Sequence, residues 1–324
     1  MTIYLAGSLA FDRIMTFPGQ FEDHILPEKL NILNVCFLIS NLEQKRGGTA
    51  GNIAYSLAML GEKPLIVASV GTDFGDYECA LREHDLPLDG IRRVPGTLTA
   101  GAYIMTDASG NQITGFHPAA MNTSSDYAFS HAGPADFALI GPTNVADMRR
   151  LPRVFRDKGV PYIFDPGQQI PTLTGPELLE AITGSAILIS NDYELELIRE
   201  STGKTRGELA ALTDCLITTC GGSGSVVRQG GDEPHIGIAR PARIVDPTGC
   251  GDAFRAGLLK GLAAGLPLCD CARLGAVCAA YCVEHIGPQE HAFTLADFTG
   301  RYQAAFGAMP QLGGFDAASQ YHRG

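Results

Sequence analysis

At 324 residues and 45% hydrophobic content, the chain is long enough for one large domain, or for one domain plus a small accessory layer. Its 35 acidic residues against 24 basic give a formal net charge of −11, which argues against nucleic acid or an anionic membrane as partner. No stretch approaches the ~20 apolar residues of a membrane span, and nine cysteines scattered through apolar segments suit reduced thiols in the cytoplasm.

The opening segment Met1–Gly7 lacks a basic flank and reads as a first strand, Ile3–Gly7, not as a secretory signal. Ser8 and Asp12 follow it. Residues 13–46 hold a β-rich run, Leu33–Ser40. The turn Gly47-Gly48-Thr49-Ala50-Gly51-Asn52 opens a helical pattern over Ala50–Leu60 and permits close backbone approach to a ligand. Leu65–Val70 reads as the next strand. Thr97–Thr106 and Gln112–Phe116, joined by a turn over Asp107–Asn111, read as a hairpin.

Further on, Phe137–Gly141, Tyr162–Asp165, Ala186–Ser190, Cys215–Thr219 and Ser225–Arg228 are apolar runs suited to strands buried on both faces. Helical patterns at Ala146–Lys158, Asp192–Thr202 and Asp252–Ala264 lie among them. The alternation predicts an α/β fold, with a mostly parallel sheet flanked by helices. Residues 1–12, 47–96 and 118–308 are expected to form this core. Residues 13–46 and 97–117 are expected to form a discontinuous β lid, and 309–324 a loosely held tail. No G-x-G-x-x-G follows the first strand, which excludes a dinucleotide-dependent dehydrogenase. Cys278 and Cys282 lie one turn apart on an apolar helix without a His or Asp to complete a zinc site, so core packing is expected of them.

The strongest motif is Asp246-Pro247-Thr248-Gly249-Cys250-Gly251-Asp252-Ala253-Phe254. A Gly-rich turn that opens a helix aims several main-chain N–H groups at one spot, where the helix dipole adds about half a positive charge. Such a cup holds an anion without a lysine. Asp252 beside it is either an N-cap or a base that orients and deprotonates a hydroxyl for phosphoryl transfer.

This segment resembles the D-T-x-G-A-G-D signature of ribokinase-like (PfkB-type) carbohydrate kinases, with Pro247 for Thr and Cys250 for Ala. Gly47–Ala54 is similar to the family's G-G-x-x-x-N-x-A signature and Asn191–Glu194 to its N-x-x-E motif. The resemblance spans roughly residues 3–305. Phe17–Phe21, Arg46–Gly48, Phe116–Met121, Asp165–Gln169 and Gly251–Gly257 look like the bacterial-type adenosine kinases of that family.

The resemblance implies transfer of the ATP γ-phosphoryl group to the ribose 5′-hydroxyl of adenosine, with a ribose or fructose kinase, or a kinase for another nucleoside, as the alternative. It implies Asp252 as base and the Gly249, Cys250 and Gly251 backbone as anion hole. Asp12, Gly48 and Asn52 would hold the ribose. Phe116 would stack on the base, with Gln168, Gln169 and Ser8 around it. Asn191 and Glu194 would organise Mg²⁺ and phosphate through water, although their spacing equally fits a helix-capping pair. Thr219, Gly221 and Gly224 would flank the donor nucleotide, and Asp246 and Thr248 would hold K⁺. Arg255 is open between a phosphate contact and a surface salt bridge. A homodimer joined through the lid strands is expected.

Overall fold

The computed structural model describes residues 1–26, 31–32 and 34–312. The chain begins with β1 (Ile3–Ala6), whose side chains alternate between two cores. Ile3 and Leu5 pack with Ile53, Leu57 and Leu258, while Tyr4 and Ala6 pack with Met148, Leu151 and Phe155. That is the period of two expected of a strand covered on both faces. β2 (Ala10–Thr16), β3 (Asn41–Gly47), α1 (Thr49–Met59), β4 (Leu65–Val70), α2 (Gly75–Glu83) and β5 (Ile91–Arg93) follow. Next come β6 (Ala100–Thr106), β7 (Gln112–His117), β8 (Phe137–Ile140), α3 (Val145–Lys158) and β9 (Tyr162–Phe164).

The second half holds α4 (Gly175–Ile182), β10 (Ile187–Asn191), α5 (Asp192–Thr202), α6 (Arg206–Ala210), β11 (Cys215–Thr219), β12 (Ser225–Arg228) and β13 (His235–Ile236). It closes with α7 (Cys250–Ala263), α8 (Leu268–Cys282) and α9 (Leu295–Phe306). The nine-stranded sheet has the order β13-β12-β11-β10-β9-β8-β1-β4-β5. Only β12 runs against the other strands; it pairs antiparallel with β11 on one side and with the edge strand β13 on the other. Strand order reverses at β1, which lies between β8 and β4. In such sheets ligands bind in the crevice beyond the carboxyl ends of the strands at that reversal.

A second sheet of order β3-β2-β6-β7 stands beside this crevice. The hairpin expected over 97–117 is present as β6 and β7, paired from Gly101↔His117 to Thr106↔Gln112. The strand expected at Leu33–Ser40 is not. Leu33 lies outside the described residues, and 34–39 adopt no strand. The apolar residues there serve an aromatic cluster instead: the Phe37 ring lies 4.9 Å from that of Phe17 and 5.3 Å from that of Phe21. The strand begins at Asn41 and pairs with β2 from Thr16↔Asn41 to Ala10↔Gly47. β2 enters the small sheet at Ala10, ahead of the boundary expected at residue 13. At the other end, Met309 and Leu312 pack on the α8–α9 cluster, and the tail past 312 lies outside the described residues. Among the described residues no helix is long and apolar enough to cross a membrane.

Candidate active site

Two cavities meet at the carboxyl edge of the parallel sheet. The first, of about 350 Å³, is lined by Ser8 after β1, Asp12 on β2, and Gly48 and Asn52 at the start of α1. Phe116 of β7 and Gln168 close its rim, and Asn191, Glu194, Thr248, Gly249, Gly251, Asp252 and Arg255 form its floor. The second, of about 320 Å³, is bounded by Gly221 and Gly224 of the turn before β12, by the Cys250 side chain, and by apolar Ile238, Ala239 and Ile244. Thr219 and Gly251 line both, so the cavities are contiguous at the start of α7.

That helix start is built around Gly249, whose φ of +78° is left-handed and whose Cα has a Pro288 carbon where a Cβ would sit, 2.3 Å away. The sharp turn lets Cys250 N–H donate to the Pro247 carbonyl at 3.1 Å. The Cys250 amide is therefore committed to the turn, a correction to the expected hole. The Gly249, Gly251 and Asp252 amides make no hydrogen bond among the described residues. Three donors at one helix N-terminus can hold an anion.

Asp252 is not an N-cap; Gly249 occupies that position and the Asp252 side chain points into the cavity. Asn52 Nδ2 donates to its Oδ2 at 2.8 Å. Burial, abetted by nearby Asp165 and Asp12 and opposed by Arg255 and the Asn52 bond, pushes its carboxyl up to about 7. Asp12 is pushed up to about 6 by burial and by the charge of Asp246. Among carboxylates in a cleft, such perturbation marks groups available for proton transfer or for binding hydroxyls.

Arg255 does not face solvent. It is 6% exposed, forms a two-pronged ion pair with Asp165, and donates from Nη1 to the Gly251 carbonyl at 2.9 Å. Asn191 and Glu194 form a reciprocal capping box, with Glu194 N–H on Asn191 Oδ1 at 2.7 Å and Asn191 N–H on Glu194 Oε2 at 2.8 Å. The capping geometry is therefore real, and it leaves Glu194 Oε1 to the cavity. Burial raises the Glu194 carboxyl despite its bond from Asn191.

Gln169 is not brought to the cavity. Its amide nitrogen donates to the Thr143 carbonyl at 3.2 Å, and its oxygen accepts from the Thr172 hydroxyl at 2.9 Å. Asp246 Oδ1 accepts from Thr248 N–H and Oδ2 from Gly287 N–H, each at 2.9 Å. Burial would raise this carboxyl, but those bonds and the Lys45 ammonium hold it below its usual range. Lys45 Nζ itself donates to the neighbouring Ile286 carbonyl at 3.1 Å. Each Asp246 oxygen thus accepts one main-chain N–H, and the Lys45 charge acts on the carboxyl beside them.

Sequence reasoning missed Tyr77 and Gln289, which stand behind Asn52: Gln289 Nε2 donates to Asn52 Oδ1 at 2.9 Å and to the Tyr77 hydroxyl at 2.7 Å. Neither sits in a motif. It also missed the apolar wall of the second cavity at Ile238, Ala239 and Ile244, which has no periodic pattern.

A proton acceptor facing an anion-holding helix start, where two ligand-sized cavities join, is the layout of a phosphotransferase acting on a hydroxyl. The pfkB family carbohydrate kinase model matches residues 23–294, and the chain belongs to that family. It is similar to the nucleoside kinase of Methanocaldococcus jannaschii, 29% identical over 275 residues, covering 81% of this chain and 87% of the relative. Its fold is similar to that of Burkholderia thailandensis nucleoside kinase in complex with inosine, with a TM-score of 0.86 at 37% identity over 96% of this chain and 100% of that one. The ADP-inosine complex of the same B. thailandensis enzyme gives a TM-score of 0.84, also at 37% identity, over 96% of this chain and 98% of that one.

Proposed function

We propose that this kinase transfers the γ-phosphoryl group of ATP to the ribose 5′-hydroxyl of a purine nucleoside, adenosine first, giving the nucleoside 5′-monophosphate and ADP. The observation that carries this reading is Asp252, bonded to Asn52 at 2.8 Å, at the junction of the two cavities beside unpartnered amides. Nucleoside kinases of B. thailandensis and M. jannaschii among the similar proteins support a nucleoside acceptor. The half-exposed Phe116 ring at the rim suits a flat base, for which a simple sugar has no use.

In this mechanism Asp12 accepts hydrogen bonds from the ribose diol, a pair of donors suited to one carboxylate. Gly48 and Asn52 border the sugar, and Ser8 and Gln168 the base. Asp252 orients the 5′-hydroxyl and takes its proton; a base with a pKa of about 7 is both ionised and proton-accepting near neutrality. The Gly249, Gly251 and Asp252 amides hold the charge on the phosphoryl group in flight. The small sheet acts as a lid, excluding water as a competing acceptor. The donor nucleotide lies along Thr219, Gly221 and Gly224, its base against Ile238, Ala239 and Ile244.

Among the described residues no three His, Cys, Asp or Glu side chains cluster with metal-holding geometry. Mg²⁺ fits nonetheless as a cation carried by phosphate oxygens and water, with the free oxygen of Glu194 and the Asn191 carbonyl region beside it. It would neutralise phosphate charge there. A cytoplasmic setting, where ATP is supplied and thiols stay reduced, fits nine free cysteines. The exposed apolar Leu42 of β3 and Ile113 of β7, on the edges of the small sheet, support a homodimer through that sheet.

An ADP-release assay over adenosine, inosine, guanosine, ribose and fructose, with and without a chelator, tests the reading. Adenosine should give the highest kcat/KM and the chelator should abolish turnover. Preference for ribose or fructose over every nucleoside would overturn it.

A further inference from the structure

A buried chain of hydrogen bonds runs from the main chain of the small sheet to the candidate base. Tyr77 of α2 donates its hydroxyl proton to the Gly47 carbonyl at 2.8 Å. A carbonyl can only accept, so the Tyr77 oxygen is left to accept. It does so from Gln289 Nε2 at 2.7 Å, which settles which end of the Gln289 amide faces Tyr77. The second Nε2 proton goes to Asn52 Oδ1 at 2.9 Å, which settles the Asn52 amide in turn. Asn52 therefore meets Asp252 with Nδ2, at 2.8 Å. Tyr77, Gln289 and Asn52 are all buried, so water does not randomise this order. The space is shaped for it: a Cβ on Gly51 would fall 1.8 Å from the Tyr77 hydroxyl.

We propose that Tyr77 and Gln289 are positioning residues: they fix the direction of this chain so that Asn52 offers Asp252 an N–H and never its oxygen, which holds the base ionised. An Asn52 turned end for end would offer Oδ1, and only a protonated Asp252 could bond to it. The inference rests on the reading of Asp252 as the base. Other charges facing Asp252 are Arg255 on its own helix, Asp165 after β9 and Asp12 of β2; Arg46 of β3 stands near Tyr77. None of them can set the orientation of Asn52, since its oxygen is already bonded to Gln289.

The test follows the Asp252 carboxyl by NMR of ¹³C-labelled aspartate in ligand-free protein, together with the pH profile of kcat. Tyr77→Phe keeps the buried ring but removes the anchor, and should raise the proton affinity of Asp252 by up to about tenfold. Gln289→Met removes the donor that holds Asn52 Oδ1 without adding a charge, and should raise it by a similar factor. The inflection of kcat should move to higher pH in both. Should Tyr77→Phe fail to fold, Gln289→Met decides alone. An Asp252 titration equal to wild type, or a loss of rate uniform across pH, overturns the proposal. An Asp252 that titrates as expected in a protein inert towards every nucleoside would instead refute the acceptor assignment and leave the chain of bonds standing.

Discussion

Replacing Asp252 by Asn should make the protein slower and, at alkaline pH, more stable. Burial chiefly raises the carboxyl from 3.8 to about 7 in the folded chain. That difference is about three units, and at about 1.4 kcal/mol per unit the ionised group costs the folded state up to about 4 kcal/mol. The folded pKa lies above the unfolded one. The stabilising contribution is therefore whole below about pH 4 and lost as pH rises through about 7. Urea unfolding should show Asp252→Asn more stable than wild type by up to about 4 kcal/mol near pH 8, and by about a third of that near pH 5. The same variant should lose at least ~10²-fold in kcat while adenosine affinity stays within about threefold. A stability difference independent of pH would show that Asp252 does not carry a raised pKa. Normal turnover would remove it from the chemistry.

Phe116→Ala should raise the KM for adenosine by ~5–150-fold, the equivalent of ~1–3 kcal/mol of stacking, with kcat little changed; an equal change with ribose as acceptor would refute base recognition. Arg255→Met leaves Asp165 charged and buried and should destabilise the fold by ~3–5 kcal/mol in urea, with Asp165→Leu recovering part of the loss; no recovery would deny that the ion pair is the cause. Sedimentation at micromolar concentration should give twice the chain mass, reduced to one by Leu42→Glu with Ile113→Lys; a wild-type monomer contradicts the dimer through the small sheet.

The parallel core was legible because its strands are covered twice. Ile187 and Ile189 serve one core and Leu188 the other, so the apolar run is continuous and bounded by turns. The small sheet was legible only in part. β6 and β7 flank a turn with a recognisable Asp107–Asn111 signature, whereas β3 carries Asn41, Glu43, Gln44, Lys45 and Arg46 on an exposed edge. Its register is imposed by pairing with β2, not by any pattern of its own. The apolar residues just before it have the composition of a strand because aromatic clustering and strand formation draw on the same residue types. In the site, Asp252 and its glycines were legible through local spacing. Tyr77, Gln289 and the Asp165–Arg255 pair were not, since each acts across a long sequence separation, 90 residues for the ion pair.

The charge balance of the cavity joins these features. Asp12, Asp165, Glu194 and Asp252 line it, and Arg255, the one cation in that lining among the described residues, is committed to Asp165. A triphosphate entering such a place meets no free positive side chain in that lining. The available attraction is the main-chain N–H groups at the start of α7 and whatever counter-cation the nucleotide brings. That frugality has a chemical consequence. Had a lysine stood within reach of Asp252, it would have pulled the carboxyl towards its ordinary acid range, where it is too weak a base for an alcohol at neutral pH. Like-charge crowding with Asp165 and Asp12 works the other way and helps keep Asp252 at about 7. The feature that makes the cavity costly to fold also holds Asp252 at the pH at which the base proposed above would have to work.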